Sequence, residues 1–182
     1  MTLDPGMSVP QAALQEMHAL LPVVDIVLPN LPEAQRLTGQ TAPEDCAEWL
    51  LDSGTRAVAL KLGRDGCLVR SGAETLWVPG FSIEACDSTG AGDHFAAGII
   101  AGFLRSLDLH SAAVLANAMG ALAAGRAGAG TSLPKAQEVL DLLHRQVQAT
   151  DEQRHLTAIR RVIELVVTLA TKPAEEDKLW WK

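Results

Sequence analysis

Short apolar runs rich in β-branched residues fill the first half of this chain, each cut off within a few residues by proline or glycine. Val23–Leu28 (VVDIVL) stops at Pro29-Asn30 and reads as a buried strand. Ala57–Lys61 (AVALK) reads as another. Between them, Pro32–Leu37 ends at Gly39, and Glu44–Leu51 is opened by Pro43 and closed near Gly54; both read as helices. Gly63–Gly66 (GRDG) is a turn by composition. Cys67–Arg70 and Thr75–Val78 then form a hairpin pair joined at Ser71-Gly72, and Pro79-Gly80 breaks the second strand before one more extended stretch, Phe81–Ala85. After Asp87 the pattern changes to long helices, about Ala91–Ser106, Ser111–Ala124 and Lys135–Gln148. Strands alternating with helices, followed by helices alone, indicate an α/β fold with a largely parallel sheet covered on both faces.

Composition agrees with that packing. Hydrophobic residues are 48% of the 182 and aromatics only 4%, with no Tyr, so Ala, Leu, Val and Gly must fill the interior. The net charge of −7 repels nucleic-acid backbones at long range, and no run of Lys or Arg offsets it, so no nucleic-acid partner is expected. Any phosphate ligand must be attracted by a local site. Cys46, Cys67 and Cys86 include no C-x-x-C pair and read as buried free thiols of a reducing cytosol. The five histidines show no metal-ligand spacing.

The N-terminus lacks the basic start and apolar core of a signal peptide. The longest apolar run, Phe95–Leu104, is far shorter than the ~20 residues of a membrane span. Its Gly98 and Gly102 are spaced for tight packing against a sheet, so no membrane partner and a cytoplasmic location are expected. The tail differs in character. Thr150 and Gln153 have capping-box spacing, and Ile159, Val162, Ile163, Val166 and Ala170 recur at helical intervals before Pro173, Trp180 and Trp181. The division expected is a domain over 1–147, then an amphipathic helix and tail over 148–182.

The chemically informative segment is Asp87-Ser88-Thr89-Gly90-Ala91-Gly92-Asp93-His94-Phe95. Small residues precede a strongly helical stretch, and Gly90 and Gly92 let the backbone bend and a ligand approach. A helix starting there presents unpaired N–H groups and the positive end of its dipole, a corner suited to phosphate oxygens. Asp93 falls in the first turn. It either complements the dipole or accepts a proton from a hydroxyl attacking phosphorus.

These nine residues match the second signature of the ribokinase/PfkB carbohydrate kinases at every specified position: Asp, Ser or Thr, Thr, Gly or Ala, Ala, Gly, Asp, any, aromatic. The resemblance implies a ribokinase-like, Rossmann-like fold and transfer of phosphate from ATP·Mg²⁺ to a sugar or nucleoside hydroxyl. It implies that Gly90, Ala91 and Gly92 form the anion hole and that Asp93 is the base. Asn30-Leu31-Pro32-Glu33 resembles the family's N-x-x-E motif, so Asn30 and Glu33 either cap a helix or help hold Mg²⁺ through water. Lys61-Leu62-Gly63-Arg64-Asp65-Gly66 is similar to the strand-turn beside the nucleotide, which assigns Lys61, Gly63 and Gly66 to nucleotide binding. Asn117 resembles the position near the adenine, its alternative being a helix-surface amide. Ala127-Gly128-Ala129-Gly130-Thr131 resembles the loop that, with Asp87, forms a monovalent-cation site for an ion such as K⁺; Asp87 is either a cation ligand or a turn cap.

The similarity runs from about Leu3 to Val147 and corresponds to the second half of the family's domain, with Met1–Gly6 resembling a strand and turn from its middle. The Gly-rich first signature, most sugar contacts and the β lid belong to the other half. The expectation is therefore an ATP-binding, base-bearing part whose exposed sheet edge is buried by a homodimer, by a complementary N-terminal half, or in part by the tail. A non-catalytic nucleotide-binding fragment or subunit is the alternative.

Overall fold

The computed structural model describes residues 1–6, 10–72, 74–128 and 133–171. Five strands form one sheet in the order β1-β2-β3-β4-β5: β1 Thr2–Leu3, β2 Ile26–Val27, β3 Ala57–Lys61, β4 Cys67–Ser71 and β5 Glu74–Val78. β1, β2 and β3 run parallel, while β4 and β5 are each antiparallel to the preceding strand. The sheet is therefore mixed rather than largely parallel. The connections at Gly63–Gly66 and Ser71–Glu74 are too short for the crossover that parallel strands need.

Helices cover both faces, as the strand periodicity dictates. On one face Val27, Val58, Leu60 and Leu68 pack against α1 (Leu14–Leu20), α2 (Leu31–Thr38) and α3 (Pro43–Asp52). On the other, Ile26, Leu28, Ala57, Ala59, Cys67, Val69 and Val78 meet α4 (Ala91–Leu104), α5 (Leu109–Ala124), α6 (Ala136–Ala149) and α7 (Gln153–Thr171). Neighbouring residues of one strand thus enter different cores.

Three local expectations are corrected. The stretch Val23–Leu28 keeps only Ile26–Val27 as strand, because Leu21–Val23 turns as a 3-10 helix around Pro22 and leaves Val23 65% exposed. Phe81–Ala85 joins no ladder; Phe81 is instead buried in the core and anchors the run as a connection. Cys86 lies exposed on that surface run, so only Cys46 and Cys67 are buried thiols.

The Gly98/Gly102 pair packs a helix, not a sheet. A Cβ on Gly98 would lie 2.5 Å from Ala116 Cα, and one on Gly102 would lie 2.7 Å from Ala112 Cβ. α4 and α5 therefore touch almost backbone to backbone. α7 lays Ala158, Ile159, Val162 and Val166 into the same core, and its contacts are with α5 and α6 rather than with the β1 edge. The Thr150/Gln153 capping box does not form: Thr150 Oγ1 accepts from Glu152 N, ahead of the helix. Trp180 and Trp181 lie outside the described residues. No helix among the described residues is long and apolar enough to cross a membrane.

A buried histidine pair joins α5 to α7. His110 Nε2 and His155 Nδ1 are 3.3 Å apart, with the rings stacked at 5.5 Å. Burial holds both imidazoles below the ordinary value of 6.5, reinforced at His110 by Arg154 and at His155 by His110. The native state thus disfavours their protonation, while the unfolded chain takes up protons as pH falls through about 6.5. The pair's contribution to stability is full above that pH and is lost below it. The melting temperature should fall between pH 7.5 and pH 5, and His155→Gln should flatten that dependence; equal slopes in the two proteins would remove the pair as its cause. Gly98→Ala forces α4 and α5 apart and should destabilise by about 1–3 kcal/mol in a denaturant titration.

Candidate phosphate-binding corner

The parallel strands deliver their next residues to one rim. β1 ends at Leu3 and leads to Asp4, β2 leads through Pro29 to Asn30, and β3 ends at Lys61. Lys61 N donates to Pro29 O at 2.8 Å, and Asn30 pairs with Lys61 in a parallel bridge. Carboxyl ends of parallel strands are where open α/β sheets bind ligands.

The start of α4 adjoins that rim. Gly90 is the N-cap, at φ 79° and ψ −4°, a left-handed conformation that glycine adopts without cost. Ala91 N donates back to Ser88 O at 3.1 Å and His94 N to Gly90 O at 3.0 Å. Among the described residues, the N–H groups of Gly92 and Asp93 make no hydrogen bond. Two amides at the positive end of a 14-residue helix are therefore available to an anion.

Lys61 supplies the charge. Its ammonium lies 3.5 Å from where a Gly92 Cβ would sit, and its side chain is only 12% exposed. It donates to Asp4 Oδ2 at 2.8 Å. This cationic spot counters the overall charge of −7 where a phosphate must enter. Asp93, in the first turn, is exposed, and its carboxylate has no partner among the described residues. The corner thus combines anion-binding amides, an ammonium and a free carboxylate.

The other sequence-derived residues fall around it in different ways. Asn30 and Glu33 form a reciprocal capping box: Glu33 N donates to Asn30 Oδ1 at 2.9 Å, and Asn30 N donates to Glu33 Oε2 at 2.7 Å. One oxygen of each is thereby engaged, and no cluster of three or more acidic, His or Cys groups suited to a metal occurs among the described residues. Direct caging of Mg²⁺ does not fit this donor set; contact through water and phosphate oxygens does. Gly63 faces open space at φ 63°. Gly66 serves a backbone crossing instead: at φ 95°, its Cβ would lie 2.1 Å from Val78 O.

Asn117 is not a helix-surface amide. It is 7% exposed, and its Nδ2 donates to Val78 O and Pro79 O, both at 3.1 Å, tying α5 to the end of β5. Asp87 acts as a turn cap here. Its Oδ1 accepts from Thr89 N at 2.9 Å and its Oδ2 from Gly128 N at 3.3 Å, and the Thr89 and Gly128 bonds hold its carboxyl below the ordinary carboxylate value. Ala129, Gly130 and Thr131 lie outside the described residues. Asp4 escaped the sequence reading because its partner is 57 residues away and no spacing rule links them. His94 occupies the signature's free position, yet its Nδ1 lies 2.8 Å from Gly90 O and braces the loop.

A cavity of 310 Å³ lies elsewhere, between the β4–β5 hairpin and the starts of α5 and α7. There Arg154 pairs with Glu74 and Arg161 with Asp108, so its charges satisfy one another. The chemistry points to the open corner rather than to this cavity. A methyl at Gly92 meets only Lys61, at ordinary contact distance, so Gly92→Ala should fold with an unchanged or raised melting temperature. The same variant should weaken nucleotide triphosphate binding about tenfold or more, read by calorimetric titration, because it fills the cradle.

The chain is similar to known proteins described as sugar kinases. An uncharacterised sugar kinase of Archaeoglobus fulgidus is 35% identical over 137 residues, covering 74% of this chain and 53% of the relative. The 2-dehydro-3-deoxygluconokinase of Bacillus subtilis is 33% identical over 131 residues, covering 71% and 40%. Among solved structures, an E. coli protein described as a ribokinase II, in complex with ATP and Mg²⁺, superposes with a TM-score of 0.70 at 30% identity, covering 79% of this chain and 48% of that one. The chain spans about half the length of the curated relatives it matches. Residues 2–136 match the model of the pfkB family of carbohydrate kinases, to which this chain belongs.

Proposed function

We propose that this chain is the nucleotide-binding, base-bearing part of an ATP-dependent carbohydrate kinase, corresponding to the C-terminal half of the family domain. The observation that carries the reading is the juxtaposition at α4: unbonded amides of Gly92 and Asp93, the Lys61 ammonium beside Gly92, and an exposed carboxylate in the same turn. Phosphoryl transfer asks little covalent chemistry of a protein. It requires positioning and stabilisation of charge on the moving group. In this reading the Gly90-Ala91-Gly92 turn receives the γ-phosphate, and Asp93 takes the proton of the acceptor hydroxyl as its oxygen attacks the γ-phosphorus and the bond from that phosphorus to the β,γ-bridging oxygen breaks, releasing ADP.

Asn30 and Glu33 would hold, through water, a magnesium ion that arrives with ATP and would supply charge neutralisation. Lys61 and Gly63 flank the phosphates, Gly66 holds the turn that carries them, Asn117 sets the wall near the base, and Asp87 with Gly128 borders a monovalent-cation position. The ATP and Mg²⁺ of the E. coli relative support the donor, and the sugar acid of the B. subtilis relative's name supports a carbohydrate acceptor. A nucleoside acceptor is compatible with the same corner. The protein acts in the cytoplasm, and the sheet edge at β1 is completed by a complementary N-terminal half or a second copy. The alternative reading is a nucleotide-binding subunit without turnover of its own.

One assay separates these readings: ATP consumption against a panel of sugars and nucleosides, with and without a supplied N-terminal half. Activity confined to the complemented protein is expected. Asp93→Asn should leave ATP affinity within a few-fold and lower kcat of the complemented enzyme by about 10²–10⁴. Full turnover in that variant excludes Asp93 as the base.

A further inference from the structure

Asp4 has no role in the signature motifs, yet it makes the one ion pair of Lys61 among the described residues. The pair joins the chain beyond β1 to the end of β3, two strands that flank β2 in the sheet, and its ammonium lies beside Gly92 in the first turn of α4. At 2.8 Å it has the length of a charge-assisted hydrogen bond. It is also shielded: the lysine side chain is 12% exposed and the aspartate 32%, so solvent screens it less than an open surface pair. An ammonium has three donors; Asp4 takes one and leaves two. A lysine stem is flexible, and an unpinned ammonium would spread over many rotamers.

We propose that Asp4 is a positioning residue that holds the Lys61 ammonium at the α4 N-terminus as the ligand of the terminal phosphates. This inference rests on the nucleotide reading of the corner and adds to it which phosphates Lys61 contacts and what orients it. Pinning and competition make opposite forecasts. If Asp4 pins Lys61 for an anion, its removal weakens triphosphate binding. If Asp4 merely occupies the ammonium, its removal frees Lys61 and strengthens binding.

The test uses the full 182-residue chain, with ATP and adenosine as probes in calorimetric titrations of wild type, Lys61→Met, Asp4→Ala and the double variant. Lys61→Met retains the apolar stem, Lys61→Gln serves as its second version, and melting temperatures confirm folding. Lys61→Met should lower ATP affinity about tenfold or more and leave adenosine affinity unchanged, since only a charged hydrogen bond to phosphate is lost. Asp4→Ala should lower ATP affinity several-fold with Lys61 present and have no further effect in the Lys61→Met background. Unchanged or higher ATP affinity in Asp4→Ala overturns the proposal. So does an equal loss in both backgrounds, or a parallel loss for adenosine, either of which marks a structural role. A wild-type chain that does not prefer ATP to adenosine fails the nucleotide reading itself; wild-type preference retained in Lys61→Met fails this inference alone.

Discussion

α4 and α5 lie so close that two glycine Cα atoms take the place of side chains, and the corner depends on that contact. A methyl on Gly98 would enter the backbone of Ala116, so the distance between the helices is set by main chain rather than by adaptable side chains. Close-packed backbone has few alternative arrangements. α5 is in turn moored to the sheet by Asn117, whose amide bonds the carbonyls of Val78 and Pro79. The first turn of α4 is thereby held against the carboxyl ends of the parallel strands, where its free amides and dipole face Lys61. A looser helix pair would leave the same loop sequence without a defined partner across the rim.

Electrostatics explains why the corner is built from so many small parts. The chain carries a net charge of −7, which disfavours any polyanionic ligand at long range. Attraction must come from fixed local dipoles and from one cation held at short distance, and both are present at Gly92. The carboxylates nearby are handled differently. Asp4 is tied to Lys61 and Asp87 to two backbone amides, whereas Asp93 is left exposed and unpaired among the described residues. That contrast is what the proposed role of Asp93 as the base rests on.

The candidate site was legible in the sequence where its logic is local. The Asp87–Phe95 signature specifies a glycine bend and a helix start within nine residues, and the structure forms both, with Gly90 in a left-handed conformation. Asn30 and Glu33 could be read as a cap because a capping box spans four consecutive residues, and both of its bonds are present. For Asn117 the surface-amide alternative falls away, and helical spacing alone could not show this, because it does not reveal that the Val78 and Pro79 carbonyls await the side chain. Gly66 shows the same limit: its need for glycine comes from the backbone of Val78 and Gly80, twelve or more residues away in the chain.

Taken by itself, the sequence determined most of the strand and helix runs and the glycine-lined helix start, because each follows from the preferences of neighbouring residues. Only the tertiary structure decided that the sheet is mixed, that the Gly98/Gly102 face meets a helix, that α7 docks through a histidine pair, and that Asp4 grips Lys61. Those outcomes depend on through-space pairing between segments tens of residues apart. No local preference encodes such pairings; they appear only when the chain closes on itself and buried polar groups must find partners.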